Sequence, residues 1–367
     1  MNNYNLTKMA TQLYFPGNVA QLDDAGLPSI LVYIPAFKNS DVLTGGDDST
    51  HPAFIVNGKE IPGFYYSKYQ NVVYDGRAYS LPAEDPAAGI SFDRALNYCE
   101  AKGAGWHLST AAEWAAIALW CKKNGFLPYG SNTYGKDGRE DNYKAIPTEY
   151  NSNGEVIRTA TGTGPLTWSH DNTASGIWDM NGNLWEWQGG LRLVWGELQL
   201  LANNDAADPS NPQNATSTCW KAINAADGSL VEPESTTTDA AVKTAGNTVK
   251  LDYVNGARTY STGITDASSA NRACAFGKVT CSAAISEAAK DLLRALALLP
   301  ESGAGDLDYD SDSMYCTNGM AERGVIRGGA ANSGTGAGVF CLYASWTRSI
   351  NSENLGFRAA YIPEIAD

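Results

Sequence analysis

Apolar positions along the chain change their period several times, and each change predicts an element. Short apolar runs ended by turn residues, Gln12-Leu13-Tyr14-Phe15 before Pro16-Gly17 and Ile30-Leu31-Val32-Tyr33-Ile34 before Pro35, predict strands of a β-rich N-terminal segment over residues 1–50. Phe54-Ile55-Val56 and Phe64-Tyr65-Tyr66 flank Asn57-Gly58, a pair that tolerates positive φ and so predicts a hairpin turn. The period then becomes helical. Ser91 caps a helix reaching about Lys102, with Ala95, Leu96, Tyr98 and Cys99 as its apolar stripe and Gly103 as its stop. Thr110 and Glu113 form the S/T-x-x-E capping box of a second helix, running through Trp114, Ile117, Ala118 and Cys121 to Asn124-Gly125. From Tyr129 to His170, Gly, Asn, Thr and Asp dominate and predict long ordered loops.

Residues 176–187 place three tryptophans around Asn181-Gly182-Asn183, which predicts a tight turn against a large aromatic cluster. Such a corner is either a core corner or a ligand cage. Residues from about 196 to 316 are rich in Ala, Thr, Ser and Asp, with weak strands such as Thr248-Val249-Lys250-Leu251. One helix is predicted there, from about Ala283 to Leu299, with Ile285, Ala288, Ala289, Leu292, Leu296 and Leu299 on one side. A polar insertion of this length is expected to pack as a surface subdomain. Residues 325–362 read as strand, loop, strand, loop, strand, because strand-length apolar runs alternate with Gly, Asn and Ser clusters.

Composition narrows the function. The 367 residues hold 26 Lys plus Arg against 40 Asp plus Glu, a formal charge of −14, with no compensating basic run. Nucleic acid is therefore not an expected partner, since binding duplex phosphates needs clustered cations. The apolar stretch Ala283–Leu299 is interrupted by Glu287, Lys290, Asp291 and Arg294, so no membrane insertion is expected of it. The N-terminal residues show no cationic start followed by an apolar stretch, so the chain is expected to be made in a bacterial cytoplasm without a signal peptide. Seven cysteines without CxxC spacing read as reduced thiols, and three separated histidines offer no metal centre.

No spacing singles out a catalytic carboxylate pair, and no GxSxG elbow or phosphate-binding glycine loop appears. Asp306, Asp308, Asp310 and Asp312 alternate like the start of a calcium loop. Ser311 stands where such a loop needs Gly, and Thr317 where it needs Glu, so a solvated acidic turn is the expectation and no metal or cofactor is assigned.

Leu108-Ser109-Thr110-Ala111-Ala112-Glu113-Trp114, the corner Asn181-Gly182-Asn183-Leu184-Trp185-Glu186-Trp187, Arg327-Gly328-Gly329 and Gly356-Phe357-Arg358 together resemble the formylglycine-generating-enzyme branch of the C-type lectin fold. The likeness covers about residues 50–195 and 317–363. It implies an α+β, C-type lectin-like domain over residues 51–367, carrying the long insertion at about 196–316. Members of that branch that oxidise cysteine carry two reactive thiols after the Gly-Gly motif, roughly where this chain has Ser333 and Gly338. Cys341 has no partner at that spacing, so no enzyme is expected. Glu232-Pro233-Glu234 is the nearest string to a calcium-lectin motif and falls inside the insertion.

A closer resemblance is to the variable proteins of diversity-generating retroelements, of the major tropism determinant type. It rests on Arg327-Gly328-Gly329, Ala337-Gly338-Val339-Phe340, Thr347-Arg348-Ser349 and Asn354-Leu355-Gly356-Phe357-Arg358. The resemblance implies that residues 325–360 form a variable ligand-binding region in which Ala330, Ala331, Asn332, Ser333, Thr335, Cys341, Tyr343, Ser345 and Trp346 are the changeable positions. Val339, Phe340, Leu342, Leu355 and Phe357 would be scaffold. Changeable side chains must face solvent, because burying random volume or polarity costs about 1–5 kcal/mol per site. The alternation of Cys341, Tyr343 and Ser345 with Phe340, Leu342 and Ala344 fits a strand with one outward face, although an ordinary half-buried strand has the same period. The implied function is non-enzymatic binding of a cell-surface protein or other macromolecular receptor, on a phage tail tip and hence in a virion. An oxidase of the formylglycine-generating type and a bacterial surface-displayed binding protein are the alternatives. A homo-oligomer is left open.

Overall fold

The capping box at Thr110 forms as its residues require: Thr110 Oγ1 accepts from the Glu113 amide at 3.1 Å, and Glu113 Oε2 accepts from the Thr110 amide at 3.0 Å. In the computed structural model, which describes residues 3–238 and 245–363, this box starts the longest helix among the described residues. Residues 239–244 of the expected insertion and residues 364–367 of the expected domain lie outside the described residues.

The chain opens with helix α1 (Asn3–Tyr14), strands β1 (Asn18–Leu22) and β2 (Pro28–Pro35), one turn of helix α2 (Asn39–Val42), and the hairpin β3 (Ile55–Val56) and β4 (Lys59–Glu60). A strand was expected at residues 12–15. Met9, Ala10, Gln12 and Leu13 are strong helix formers, and Pro16-Gly17 stops a helix as well as a strand. Asn57 and Gly58 take φ of 49° and 74°, so the predicted turn closes the β3–β4 hairpin. Phe64-Tyr65-Tyr66 instead lies in β5 (Gly63–Ser67), which pairs with β2.

The hairpin β6 (Val72–Tyr74) and β7 (Arg77–Tyr79) leads to α3 (Phe92–Glu100), β8 (Trp106–Leu108) and α4 (Ala111–Asn124). Helix α3 starts after Ser91 as predicted, but the Ser91 side chain makes no capping hydrogen bond and the helix stops at Glu100, short of Lys102; α4 ends on Gly125 at φ 74°. The loops from 129 to 170 hold one hairpin, β9 (Pro147–Tyr150) and β10 (Val156–Thr159). Next come β11 (Trp185–Val194) and β12 (Glu197–Leu200), and then the rest of the insertion: β13 (Lys221–Ile223), β14 (Leu230–Val231), β15 (Lys250–Val254), β16 (Ala257–Ser261), β17 (Arg272–Ala275), β18 (Thr280–Cys281) and α5 (Glu287–Ala295). The chain closes with β19 (Ser313–Cys316), β20 (Glu322–Gly328), β21 (Gly338–Ala344), β22 (Leu355–Phe357) and β23 (Ala359–Tyr361).

Two sheets dominate. One runs β1-β2-β5-β23-β8, so the C-terminal strand is zipped between two N-terminal ones. The other has 12 strands and the main order β17-β19-β21-β20-β11-β12-β15-β16-β18. The insertion is therefore not a separate surface subdomain. Its strands extend both edges of the sheet that holds β11, and Leu198, Val249, Leu251, Phe276 and Leu293 are buried in one cluster with Ile117 and Leu342. Its apolar residues are too spread out in sequence to show a period, yet the sheet gathers them. Helix α5 stops at Ala295, and Ala288 is exposed where the stripe predicted burial. Arg327 closes its C-terminal end, donating from Nη2 to the carbonyls of Leu296 at 3.2 Å and Ala297 at 3.1 Å. Among the described residues, no helix is long and apolar enough to cross a membrane.

Candidate functional site

Strand β21 sits between β20 and β19, with Tyr343 opposite Ile326 on one side and Tyr315 on the other. Side chains alternate across a pleated sheet, so Leu342 and Ala344 enter the cluster shared with Ile117, while Cys341 and Tyr343 face the opposite way. That second face carries a group of rings. Tyr343 lies 5.5 Å from Trp185, 6.0 Å from Tyr315 and 4.9 Å from Trp346 between ring centroids, all tilted rather than stacked flat. Tyr315, Tyr343 and Trp346 are half-buried, so their rings are part of the molecular surface.

Rigid backbone holds this group. The Trp346 carbonyl accepts from the Gly324 amide at 3.0 Å, and a Cβ on Gly324 would stand 2.7 Å from Trp187 Cζ3, so only glycine lets the strand pass that ring. Arg348, two residues on, donates to Asp93 Oδ1 at 3.0 Å and lies within 3.5 Å of Glu322 Oε1, fastening the loop after β21 to α3 and β20. The loop from 329 to 337 is tied on its other side. Its Ala331 carbonyl accepts from Tyr134 N at 2.7 Å, Ala331 N donates to Asn183 O at 3.2 Å, and Gly334 N donates to Asn132 O at 2.9 Å. Gly329 has φ of 87° and lies so close to Ala337 that a Cβ would approach within 2.4 Å of Ala337 Cβ. Trp114 of α4 donates from Nε1 to the Val339 carbonyl at 2.7 Å and fixes where β21 begins.

The structure divides the expected changeable residues. Asn332 and Thr335 are exposed and Ser333, Tyr343, Ser345 and Trp346 half-buried, so these six reach the surface. Ala330, Ala331 and Cys341 do not: they are 1%, 2% and 0% exposed. The expectation that they point outward is corrected. Period-two alternation identifies which residues share a face but not what covers that face, and here Ala330 and Cys341 fall within the cluster of Trp185, Trp187 and Ile326. Trp185 and Tyr315 also belong to the aromatic group, and neither is among the expected changeable positions. Trp185 was legible as part of the three-tryptophan corner, whereas Tyr315 lies in the insertion segment whose periodicity gave no signal. Asn271, also from the insertion, accepts a hydrogen bond from Ser345 Oγ at 2.8 Å.

Beneath the face, burial dominates the electrostatics. The Cys341 thiol is pushed well above its usual pKa by burial, as is the carboxyl of Asp312. Asp312 Oδ2 accepts from the Phe340 amide at 2.7 Å, and Oδ1 has no partner among the described residues. The aspartates of the acidic run diverge. Asp310 pairs with Arg139, Asp306 lies 3.1 Å from Lys278, Asp308 caps Gly305 N at 2.8 Å, and Asp312 turns inward. Among the described residues, no group of three or more His, Cys, Asp and Glu is placed to hold a metal ion.

A carboxyl whose folded pKa exceeds its unfolded one binds its proton more tightly when folded, so its contribution is largest below the ordinary carboxylate pKa and is lost as pH rises towards the folded value. Asp312→Asn is therefore expected to raise the thermal midpoint at pH 7 by at least about 2 °C, with the difference vanishing near pH 3. Melting curves at the two pH values check this. A lower midpoint at pH 7 would show that the ionised carboxylate is the stabilising form.

Residues 54–195 match the FGE-sulfatase family, described as a sulfatase-modifying factor enzyme 1-like domain. The protein thus has the α+β, C-type lectin-like fold of the formylglycine-generating-enzyme type, with the long insertion built into its sheet. Solved structures with some likeness include PvdO from Pseudomonas aeruginosa, at 14% identity over 91% of this chain and 94% of that one, with a TM-score of 0.30. Treponema denticola variable protein 1 is 11% identical over 95% of this chain and 100% of its own, at a TM-score of 0.30. The Major Tropism Determinant U1 variant is 9% identical over 94% and 71%, at 0.29. Likenesses at these scores carry no argument about function. No curated protein matches the chain in sequence.

Proposed function

We propose that the protein is a non-enzymatic binding protein whose Tyr343–Trp346 face engages a macromolecular receptor, and that retroelement-driven exchange of residues around that face sets its specificity. The observation that carries this reading is the composition of the face. Tyr315, Tyr343 and Trp346 form a half-buried aromatic group, and Asn332, Ser333, Thr335 and Ser345 supply small uncharged polar groups at the surface. Rigid aromatic anchors with adaptable Ser and Asn contacts are how antibody-like paratopes obtain contact area at low entropic cost. The motifs from Arg327 to Arg358 that resemble retroelement-diversified proteins lie on the strands and loops that build this face.

The chemistry of the oxidase alternative is poorly served. A reactive cysteine needs a lowered pKa and access to solvent, whereas Cys341 is fully buried with its thiol pushed the other way, and Ser333 and Gly338 carry no thiol. Display on a phage tail tip would suit a face of this size. The residues named for it are far fewer than the roughly 20–30 a side of a stable complex, and several linked copies would multiply affinity.

Sequencing the neighbouring DNA tests the diversification directly. The expected result is a reverse-transcriptase gene beside a near-copy of the codons for residues 325–360, differing mainly at adenines and at the surface positions 332, 333, 335, 343, 345 and 346. A near-copy differing instead at the buried positions 339, 340, 342 and 357, or no such copy, would overturn the reading.

A further inference from the structure

A cavity of about 550 Å³ lies between β2, α2 and α4, and none of its lining residues belongs to the aromatic face. Val32, Ile34, Val42 and Ile117 make its wall apolar, and the rings of Trp120 and His170 pack against each other at 5.2 Å within it. His170 is 6% exposed and accepts a hydrogen bond at Nδ1 from the Ile177 amide at 2.9 Å. Since Nδ1 accepts, the proton of the neutral ring sits on Nε2. Burial keeps the ring neutral, lowering its pKa to about 4. Neither His170 Nε2 nor Trp120 Nε1 has a hydrogen-bond partner among the described residues. Neither atom is sealed from water, so both donors are open through the cavity, where an acceptor entering it can take the place of water.

We propose that this cavity binds a small neutral molecule in which an apolar ring carries a carbonyl-type acceptor. The volume lies within the range of small-molecule sites, and an apolar wall with a few orienting polar groups is their usual construction. The ring packs among Val32, Ile34 and Ile117 beside Trp120, and the carbonyl oxygen accepts from His170 Nε2. Charge excludes an anion. Asp41 and Asp171 also line the cavity and outnumber Lys123, so a carboxylate ligand meets net repulsion.

The test uses 4-fluoroacetophenone, followed by fluorine NMR with the full chain. The acceptor-free 1-ethyl-4-fluorobenzene and the anionic 4-fluorobenzoate serve as comparators. The ketone is expected to bind saturably and at least about tenfold more tightly than either comparator, a ratio worth roughly 1.4 kcal/mol. His170→Phe, which keeps a ring and removes the donor, should abolish the ketone's advantage over the hydrocarbon. Ala36→Trp at the exposed mouth should abolish binding of both while leaving the melting temperature unchanged, which keeps the test decisive if His170→Phe fails to fold. Absence of saturable ketone binding, equal affinity for ketone and hydrocarbon, tighter binding of the benzoate, or binding indifferent to Ala36→Trp would each overturn the proposal.

Discussion

Glu186→Ala is expected to lower the unfolding free energy by about 3–5 kcal/mol, the cost of stripping one partner from a buried ion pair. Glu186 and Arg358 are both 0% exposed and meet in a fork, Arg358 Nε to Oε2 at 2.7 Å and Nη2 to Oε1 at 3.0 Å. Arg358 also donates to the carbonyls of Lys68 at 3.1 Å and Trp178 at 2.5 Å, and Gln70 Nε2 donates to Glu186 Oε1 at 2.9 Å. The pair therefore joins the Trp-rich corner, the C-terminal Gly-Phe-Arg motif and the turn after β5. Removing the carboxylate leaves a guanidinium in a site that water does not reach. The double variant Glu186→Met with Arg358→Leu should lose less than the sum of its single variants, because it leaves no charge behind. Denaturant titration measures both, and a loss under about 1 kcal/mol for Glu186→Ala would contradict this role.

Trp187→Ala should cost a similar amount, about 3–5 kcal/mol, through the cavity it opens. Trp187 is 0% exposed, meets Phe92 edge-on at 5.8 Å, donates from Nε1 to the Ile90 carbonyl at 2.8 Å, and lies over Gly324 of β20. Trp346→Ala, at the half-buried edge of the aromatic face, should cost about 1 kcal/mol or less. Two tryptophans of one aromatic region are thus expected to differ severalfold in the same denaturant titration. Equal losses would mean that Trp346 is core and that the face is not a surface for binding.

Much of the fold was legible because local rules and tertiary packing agree. The Thr110–Glu113 box, the Ser91 start, the Asn57-Gly58 turn and the strands of residues 325–362 each pair a chemical signal with the right period. Where one signal served two structures, the outcome depended on packing, as at residues 3–14, where Pro16-Gly17 ends a helix rather than a strand. The insertion reads as surface in sequence because it is polar, whereas its strands are part of the main sheet. Its scattered Leu, Val and Phe residues become core only when β12 and β19 bring them to the sheet. The corner of Trp178, Trp185 and Trp187 is a core corner, with all three rings buried and Trp185 packed beneath Tyr343. At the candidate site, alternation separated Tyr343 from Leu342 correctly. It could not reveal that the loop from 329 to 337 is turned so that Ala330 and Ala331 are sealed, because hydrogen bonds to Asn183 and Tyr134, far away in sequence, set that turn.

The central claim is that side-chain exchange on the C-terminal face leaves folding intact at the surface positions alone. A saturation library over residues 325–360, displayed and sorted by protease resistance, measures it at every position at once. Positions 332, 333, 335, 345 and 346 are expected to accept most side chains, position 343 chiefly aromatic ones, and positions 330, 331 and 341 only small ones. Charged residues tolerated at 341, or intolerance at 332 and 335 equal to that at Phe340 and Phe357, would contradict the account.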